Sequence, residues 1–204
     1  MNFTIKHYKK TLESYLSEDY KFCELNESLN FENKFVMVHD VDHDISLCAN
    51  FSSVEKELDI STTYFLRLHA VKYNMFSKPS IQAAKSLLNN NHNIGLHYEP
   101  SFYKNKNHLE CIEKELEVLS NILQYEVKYF NIHEPSRSSI DLGNILKEKN
   151  RCYDSNYFQG FKYLSDSSCR WREGCFSKHV GKWKKLLVLT HPFWWYHETP
   201  SENY

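Results

Sequence analysis

The chain has little of what marks several common classes of protein. It holds five glycines and five prolines in 204 residues, and no glycine-rich loop of either nucleotide-binding kind is present. No apolar run is long enough to cross a membrane, and the first residues lack the apolar core of a signal peptide. The formal net charge is −1, so no global positive field attracts nucleic acid. We therefore expect a cytoplasmic protein with no nucleic-acid partner and no membrane span.

The six cysteines contain no pair with Cys-x-x-Cys spacing, which is typical of zinc knuckles and redox motifs. Free thiols are therefore expected in a reducing compartment. With 41% hydrophobic residues the chain is able to bury a substantial core. We assign residues 1–204 to a single domain.

Five short apolar runs that each end in a histidine are the most informative feature of the chain. They cover residues 35–39, 64–69, 94–97, 129–133 and 186–191. Runs of β-branched, aromatic and leucine residues between polar segments indicate buried parallel strands. In α/β proteins the loops after the carboxyl ends of such strands carry the chemistry. The histidines therefore predict a metal or acid–base site at one rim of a parallel sheet.

Helical patterns separate these strands. We predict an N-terminal helix over residues 3–20, before a barrel that begins near residue 34. Further helical patterns cover 45–58 with Asp44 as N-cap, a stretch from the capping Ser77 to residue 88, 107–123 and 139–149. Residues 152–185 have weak periodicity and are expected to form an irregular segment or short strands over one rim. The alternation indicates an α/β fold with a parallel sheet, either open or closed as a barrel.

An acidic segment, His39-Asp40-Val41-Asp42-His43-Asp44, follows the first run. Alternation along an extended backbone sends Asp40 and Asp42 to the same side, where their repulsion raises a pKa unless a cation neutralises them. A divalent metal supplies that charge, with one carboxylate as ligand and the other as base. The alternative is a solvated turn in which Asp44 caps the next helix.

Histidines follow three other runs and are expected at the same rim as Asp42. They are His97, His133 and His191. A metal site takes ligands from separate elements, so several histidines at one rim indicate a metal site more strongly than any one of them does alone. The alternative for any one of them is a hydrogen-bonded structural histidine.

Over residues 35–195 the chain resembles the polysaccharide deacetylases of carbohydrate esterase family four (CE4), in particular the branch associated with surface-polysaccharide and O-antigen biosynthesis. The resemblance implies an incomplete (β/α) barrel of parallel strands. In the first motif Asp40 matches a general base and Asp42 a metal ligand, with Val41 between them where the commonest family motif has adjacent aspartates. The second motif matches at 94–97 and ends in His97, but Ser101 stands where the family has a second histidine.

The resemblance also implies roles for other residues. His191 matches the general acid of the fifth motif, and His133 is expected to replace the missing ligand, ahead of Glu99. Residues 163–174 resemble the segment that covers the site in this branch. The expected substrate-binding residues are Glu99, Arg137, Arg170, Trp171 and Trp194.

Two sets of side chains, the arginines and the tryptophans, each allow two interpretations. Arg137, Arg170 and Arg172 either hold a carboxylate or phosphate of the substrate or form ordinary ion pairs. The tryptophans at 171, 194 and 195 either stack on a sugar ring or fill the core.

The leading hypothesis is a hydrolase that uses a divalent metal, expected to be Zn²⁺, to remove an N-acetyl group from an amino sugar during cell-surface polysaccharide assembly. The sugar substrate is free, nucleotide-linked, lipid-linked or polymeric. One alternative is a carbohydrate-binding homologue that lost catalysis with the second-motif histidine. Another is a different metal-dependent amidohydrolase or phosphoesterase, although these commonly bind two metals through a His-x-His pair that the chain lacks.

Overall fold

The computed structural model describes residues 3–25, 31–104, 106–135 and 158–204. Within these residues the helices are α1 (Ile5–Ser17), α2 (Cys48–Glu57), α3 (Lys78–Asn89) and α4 (His108–Leu123). The strands are β1 (Lys21–Phe22), β2 (Lys34–Val41), β3 (Thr63–Leu66), β4 (Asn93–Tyr98), β5 (Tyr129–Ile132), β6 (Lys162–Ser165) and β7 (Lys185–Thr190).

All seven strands belong to one sheet, and each described pairing in it is parallel. The order is β5-β4-β3-β2-β7-β6, and β1 pairs with the first residues of β2. Helices connect β2 to β3, β3 to β4 and β4 to β5, as expected when neighbouring strands run the same way. The prediction of an α/β fold with an incomplete barrel of parallel strands is confirmed.

The central strand β2 is buried along its whole length of eight residues. Phe35 and Met37 pack in the main core cluster, which also contains the apolar faces of the helices. Val36 and Val38 belong to a second cluster on the opposite face of the sheet, together with Phe65. Because both faces are covered, the four residues from Phe35 to Val38 are continuously apolar rather than alternating.

Two helical segments begin at the capping residues that the sequence predicts. Asp44 accepts a hydrogen bond from the backbone N–H of Ser46 at 2.8 Å, at the start of a 3₁₀ turn that leads into α2. Ser77 accepts one from the backbone N–H of Ser80 at the start of α3. These side chains satisfy N–H groups that have no partner within the helix, so both predicted caps are confirmed.

Some predicted boundaries are wrong. The first helix ends at Ser17 rather than at residue 20, since Asp19 has a φ of 59°, in the left-handed region that interrupts a helix. The described part of 152–185 contains β6, a short edge strand of the kind expected there, with only one buried residue and therefore no visible period. The predicted helix over 139–149 lies outside the described residues.

Gly95 in β4 lies against the aromatic ring of Phe65, and a Cβ atom at this position would collide with that ring. The glycine therefore permits the close packing of β3 on β4. No helix in the described part of the chain combines the length and the apolar character needed to cross a membrane.

Candidate metal centre

Four of the five histidine-ended runs deliver a side chain to one rim of the sheet. His97 lies near the end of β4, while Asp42, His133 and His191 directly follow β2, β5 and β7. The carboxyl ends of parallel strands meet at the same edge, so residues separated by up to 149 positions become neighbours. A cavity of about 730 Å³ opens above them and is lined by all four residues together with Asp40.

Three ligand atoms form a nearly equilateral triangle at the bottom of this cavity. His97 Nε2 lies 3.2 Å from Asp42 Oδ1, and His133 Nδ1 lies 3.3 Å from the same oxygen. The two imidazole nitrogens are 3.1 Å apart. Two ligands of a tetrahedral ion with bonds of about 2.0 Å are separated by about 3.3 Å, so the triangle fits one ion. We call Asp42, His97 and His133 the rim triad.

The chemistry of the rim triad also fits a cation. Asp42 Oδ1 is buried and makes no hydrogen bond within the described residues. A buried carboxylate oxygen without a partner is costly, and an ion held by the three atoms removes that cost. Among the described residues, a search for three or more His, Cys, Asp or Glu side chains close enough to share an ion finds these three. That they bind a metal remains a prediction.

Asn131 in β5 orients the triad, and sequence reasoning missed it. The Asp40 carboxylate only accepts hydrogen bonds, so the Asn131 amide must direct its Nδ2 donor toward it, at 2.5 Å. The amide oxygen then faces His97 Nδ1 and accepts a hydrogen bond from the N–H group at that nitrogen. His97 consequently carries its proton on Nδ1 and presents the Nε2 lone pair to the triad. This arrangement is typical of metal-ligating histidines.

His191 is held by a second residue that the sequence did not identify. Its Nδ1 donates to Asp166 Oδ1 at 2.6 Å, and its backbone N–H donates to the same carboxylate at 3.0 Å. Trp195 Nε1 donates to the other oxygen of Asp166 at 2.8 Å. His191 Nε2 therefore faces the cavity, 3.6 Å from Asp42 Oδ2 and 4.0 Å from Asp40 Oδ2.

The pKa values reflect this concentration of carboxylates. Burial by itself lowers the pKa of His191, but Asp166 and the two rim aspartates outweigh it and raise that pKa to about 9. Burial also opposes a charge on His97, yet Asp40 and Asp42 raise its pKa. The pKa of Asp42 would rise on burial but is held well below its usual range by the adjacent imidazoles of His133 and His97. Positive charge is stabilised throughout the site, whether a proton or an ion carries it.

Glu99 does not line the cavity, and its predicted contact with substrate is not supported. Its carboxylate accepts hydrogen bonds from Arg67 and from Ser101 Oγ, the latter at 2.8 Å. Arg67 Nη1 also lies 3.7 Å from Asp42 Oδ1. Ser101, at the position of the expected second histidine, thus holds Glu99 rather than facing the triad, and Glu99 pairs with a cation beside Asp42.

The other four predicted substrate-binding residues lie in different places. Trp194 lines the cavity above the triad. Trp171 is 4% exposed and packs on the ring of Phe176 in the core, and it also contributes to the wall of a neighbouring pocket, so its contact with a sugar remains a prediction. Arg170 lines a neighbouring pocket instead of the main cavity. Arg137 lies outside the described residues.

The fold is shared with solved structures of CE4 proteins. The pseudoenzyme BA3943 from Bacillus anthracis superposes with a TM-score of 0.53 at 17% identity, over 90% of this chain and 61% of its own. The polysaccharide deacetylase Bc1974 from Bacillus cereus gives 0.50 at 14% identity over 78% of each chain. The Streptococcus pyogenes deacetylase PplD, solved with acetate, gives 0.54 at 12% identity over 92% of this chain and 80% of its own.

These similarities establish the architecture. The chain spans about three fifths of the length of BA3943. No model of a known protein family matches the sequence, and no curated protein matches it either. The incomplete barrel implied by the CE4 resemblance is confirmed, whereas the surface-polysaccharide and O-antigen branch remains a prediction.

Proposed function

We propose that the protein is a divalent-metal-dependent hydrolase that removes an N-acetyl group from an amino sugar. The observation that carries the proposal is the rim triad, flanked within one cavity by a carboxylate held by Asn131 and an imidazole held by Asp166. Such a site combines three ligands, a base and an acid, which is what metal-assisted amide hydrolysis requires.

The side chains around the triad divide the proton transfers between them. A Zn²⁺ or similar ion held by Asp42, His97 and His133 would polarise the acetyl carbonyl and make a water molecule more acidic. Asp40 takes a proton from the attacking water, and Asn131 keeps its carboxylate in place. His191, whose Nδ1 is held by Asp166 and whose Nε2 faces the cavity, is positioned to give its Nε2 proton to the leaving amine. The C–N bond breaks, releasing acetate and the free amino sugar.

The cavity supplies further groups for the sugar. Its volume of about 730 Å³ lies within the usual range for sites that enclose a small ligand, about 300–1,000 Å³. Trp194 lines this cavity, and its buried Nε1–H makes no hydrogen bond within the described residues. An indole N–H of this kind is a donor for a sugar hydroxyl or for the acetyl oxygen.

A carbohydrate-binding protein without catalysis is the second candidate. Ser101 replaces the second-motif histidine, and BA3943, which has a similar fold, is a pseudoenzyme with a mutant of restored enzymatic activity. His133 argues for the first candidate, because it returns the ligand set to two histidines and one aspartate without adding charge. The surface-polysaccharide pathway and the cytoplasmic location remain predictions.

Acetate release, measured with N-acetylglucosamine, its oligomers and its uridine diphosphate derivative, tests the proposal. We expect release from at least one of them with Zn²⁺ present, its loss after chelation, and its return on adding the metal. An N-acetylated amino acid serves as a non-sugar amide, and preference for it would favour another amidohydrolase. Stoichiometric metal without release of acetate from any sugar would favour the binding-only candidate.

A further inference from the structure

A second, smaller pocket opens beside the cavity of the rim triad. Its volume is about 230 Å³, and it shares Tyr163, Ser167 and Arg172 with the lining of the main cavity. Arg170 and Glu173 complete its charged lining. A group in this pocket is therefore next to any molecule bound above the triad. We call it the arginine pocket.

Two guanidinium groups line the arginine pocket, one on each side of a buried tryptophan in the sequence. Arg170 has an extended conformation, with φ −145° and ψ 122°. Arg170 and Arg172 are both exposed, and both line the pocket. Trp171 between them is buried against Phe176, with ring centroids 5.5 Å apart, and it also contributes to the pocket wall. The pocket therefore combines two positively charged side chains with a buried aromatic wall.

The two arginines have no acidic partner among the described residues. In that part of the chain, Arg170 and Arg172 form no ion pair and no side-chain hydrogen bond. Glu173, the acidic residue of the pocket, is instead paired with Lys162 at 2.5 Å. Ordinary ion pairing, the alternative interpretation of these arginines, therefore has no partner among the described residues. Two positive charges that line one pocket without such a partner favour the binding of an anion.

The remaining polar lining suits an anion. Ser165 and Ser167 contribute hydroxyl groups at the pocket wall, with 2.6 Å between their oxygens. Guanidinium groups bind phosphate and carboxylate through paired N–H donors, and hydroxyl groups add further donors. We propose that the arginine pocket binds an anionic substituent, a phosphate or a carboxylate, carried by the same substrate whose N-acetyl group lies at the rim triad. This inference rests on the proposed function and narrows its substrate to a negatively charged amino sugar.

Binding of small anions tests the pocket independently of any reaction. Inorganic phosphate and glucuronate are titrated calorimetrically into the full chain, dialysed against a chelator so that an ion at the triad does not contribute. We expect at least one probe to bind, and we expect R170Q/R172Q to weaken that binding at least tenfold. The control is K78Q/K85Q, which removes two positive charges from exposed positions on α3 and is expected to leave binding unchanged. Failure of both probes to bind, or equal losses in the two double variants, would overturn the proposal.

Substrate preference then tests whether the anion and the acetyl group belong to one molecule. We expect kcat/KM for N-acetylglucosamine 1-phosphate or for an N-acetylated uronic acid to exceed that for N-acetylglucosamine about tenfold. R170Q/R172Q should remove this preference by lowering kcat/KM for the charged sugar to about the value that the same variant shows for the neutral sugar, whereas K78Q/K85Q should retain the preference. Equal use of charged and neutral sugars by the unmodified chain would contradict the inference and leave the proposed deacetylation intact. A chain that releases no acetate but binds phosphate through the arginines would contradict the proposed function and retain the pocket.

Discussion

Two clusters of carboxylate and imidazole lie near the central strand, and they differ in how their lone pairs are used. The first is the rim triad. The second, here the buried cluster, consists of Glu55, His39, Tyr8, Tyr64 and Thr62. Both join side chains from several elements, and both contain a histidine supplied by a strand of the sheet.

In the buried cluster the Glu55 carboxylate accepts hydrogen bonds from several donors. Tyr8 and Tyr64 donate to Glu55 at 2.5 Å, and Thr62 donates at 3.2 Å. His39 Nε2 adds a contact of 2.8 Å, while its other nitrogen bonds Thr190 at 2.7 Å. In the rim triad the Asp42 oxygen has no such donor, and it converges with the Nε2 lone pair of His97 on one point. A satisfied cluster stabilises the fold, whereas unsatisfied converging lone pairs indicate a place for a ligand.

The largest effect that separates the clusters is expected for metal content. Asp42→Ala, His97→Ala and His133→Ala should each abolish bound metal, because a tetrahedral site with two protein ligands holds an ion far more weakly than one with three. His39→Gln changes the histidine of the buried cluster and should retain one equivalent. Elemental analysis of the purified variants, with circular dichroism to verify folding, decides the matter. A full equivalent of metal in any of the first three would remove that residue from the ligand set.

Catalysis should depend on rim residues that do not bind the ion. Asp40→Asn keeps the shape of the side chain but loses the base, so we expect a fall in kcat of about a hundredfold to ten-thousandfold with metal retained. His191→Ala should likewise slow acetate release without loss of metal. Near-normal turnover by Asp40→Asn would contradict its assignment as base, and metal loss from His191→Ala would make that histidine a ligand.

Most of the strands, helices and rim residues could be predicted from the sequence, and there is a physical reason why Asp166 and Asn131 could not. The apolar runs and caps predict the strands and helices because they are local patterns, and parallel strands bring Asp42, His97, His133 and His191 to one rim without further information. Asp166 was not predicted to act on His191, since its role depends on β6, whose weak pattern does not show that it pairs with β7. Asn131 lies within an apolar run, where a single amide carries no signal of its partners.

Stability should respond to the buried cluster and not to the triad. Glu55→Gln replaces a fully buried carboxylate by an amide whose N–H₂ group faces hydroxyl donors, so we expect a loss of about 3 kcal/mol in the free energy of unfolding. The matched control is Glu57→Gln on the same helix. Glu57 is 61% exposed and pairs with Lys9, so its loss should cost less than about 1 kcal/mol. Urea unfolding measures both, and equal effects would contradict the structural role of the buried cluster.

A smaller change is expected from the residue that orients the triad. Asn131→Leu removes the acceptor for His97 Nδ1 and the donor to Asp40, while keeping a side chain of similar size. Loss of such an outer partner typically weakens metal binding about tenfold to a hundredfold. Competition with a chromogenic chelator measures the affinity. Unchanged metal affinity together with unchanged kcat would show that Asn131 has no part in positioning either residue.

Lowering the pH is expected to produce the smallest effect, and it tests the buried cluster without a substitution in the rim triad. Burial by itself raises the pKa of Glu55, but His39, His92 and the Tyr64 hydroxyl outweigh it and lower that pKa from 4.5 to about 2. A carboxyl whose pKa is lower in the folded chain stabilises the fold fully above its unfolded pKa, and that contribution is lost as the pH falls toward the folded pKa. The stability difference between the unmodified chain and Glu55→Gln should therefore shrink progressively as the pH falls from about 4.5 to about 2. Parallel urea titrations across this range, carried out with a chelator present, measure the difference. If it does not shrink over this range, the Glu55 carboxylate is not held in its charged form by its donors, and the contrast with the rim triad fails.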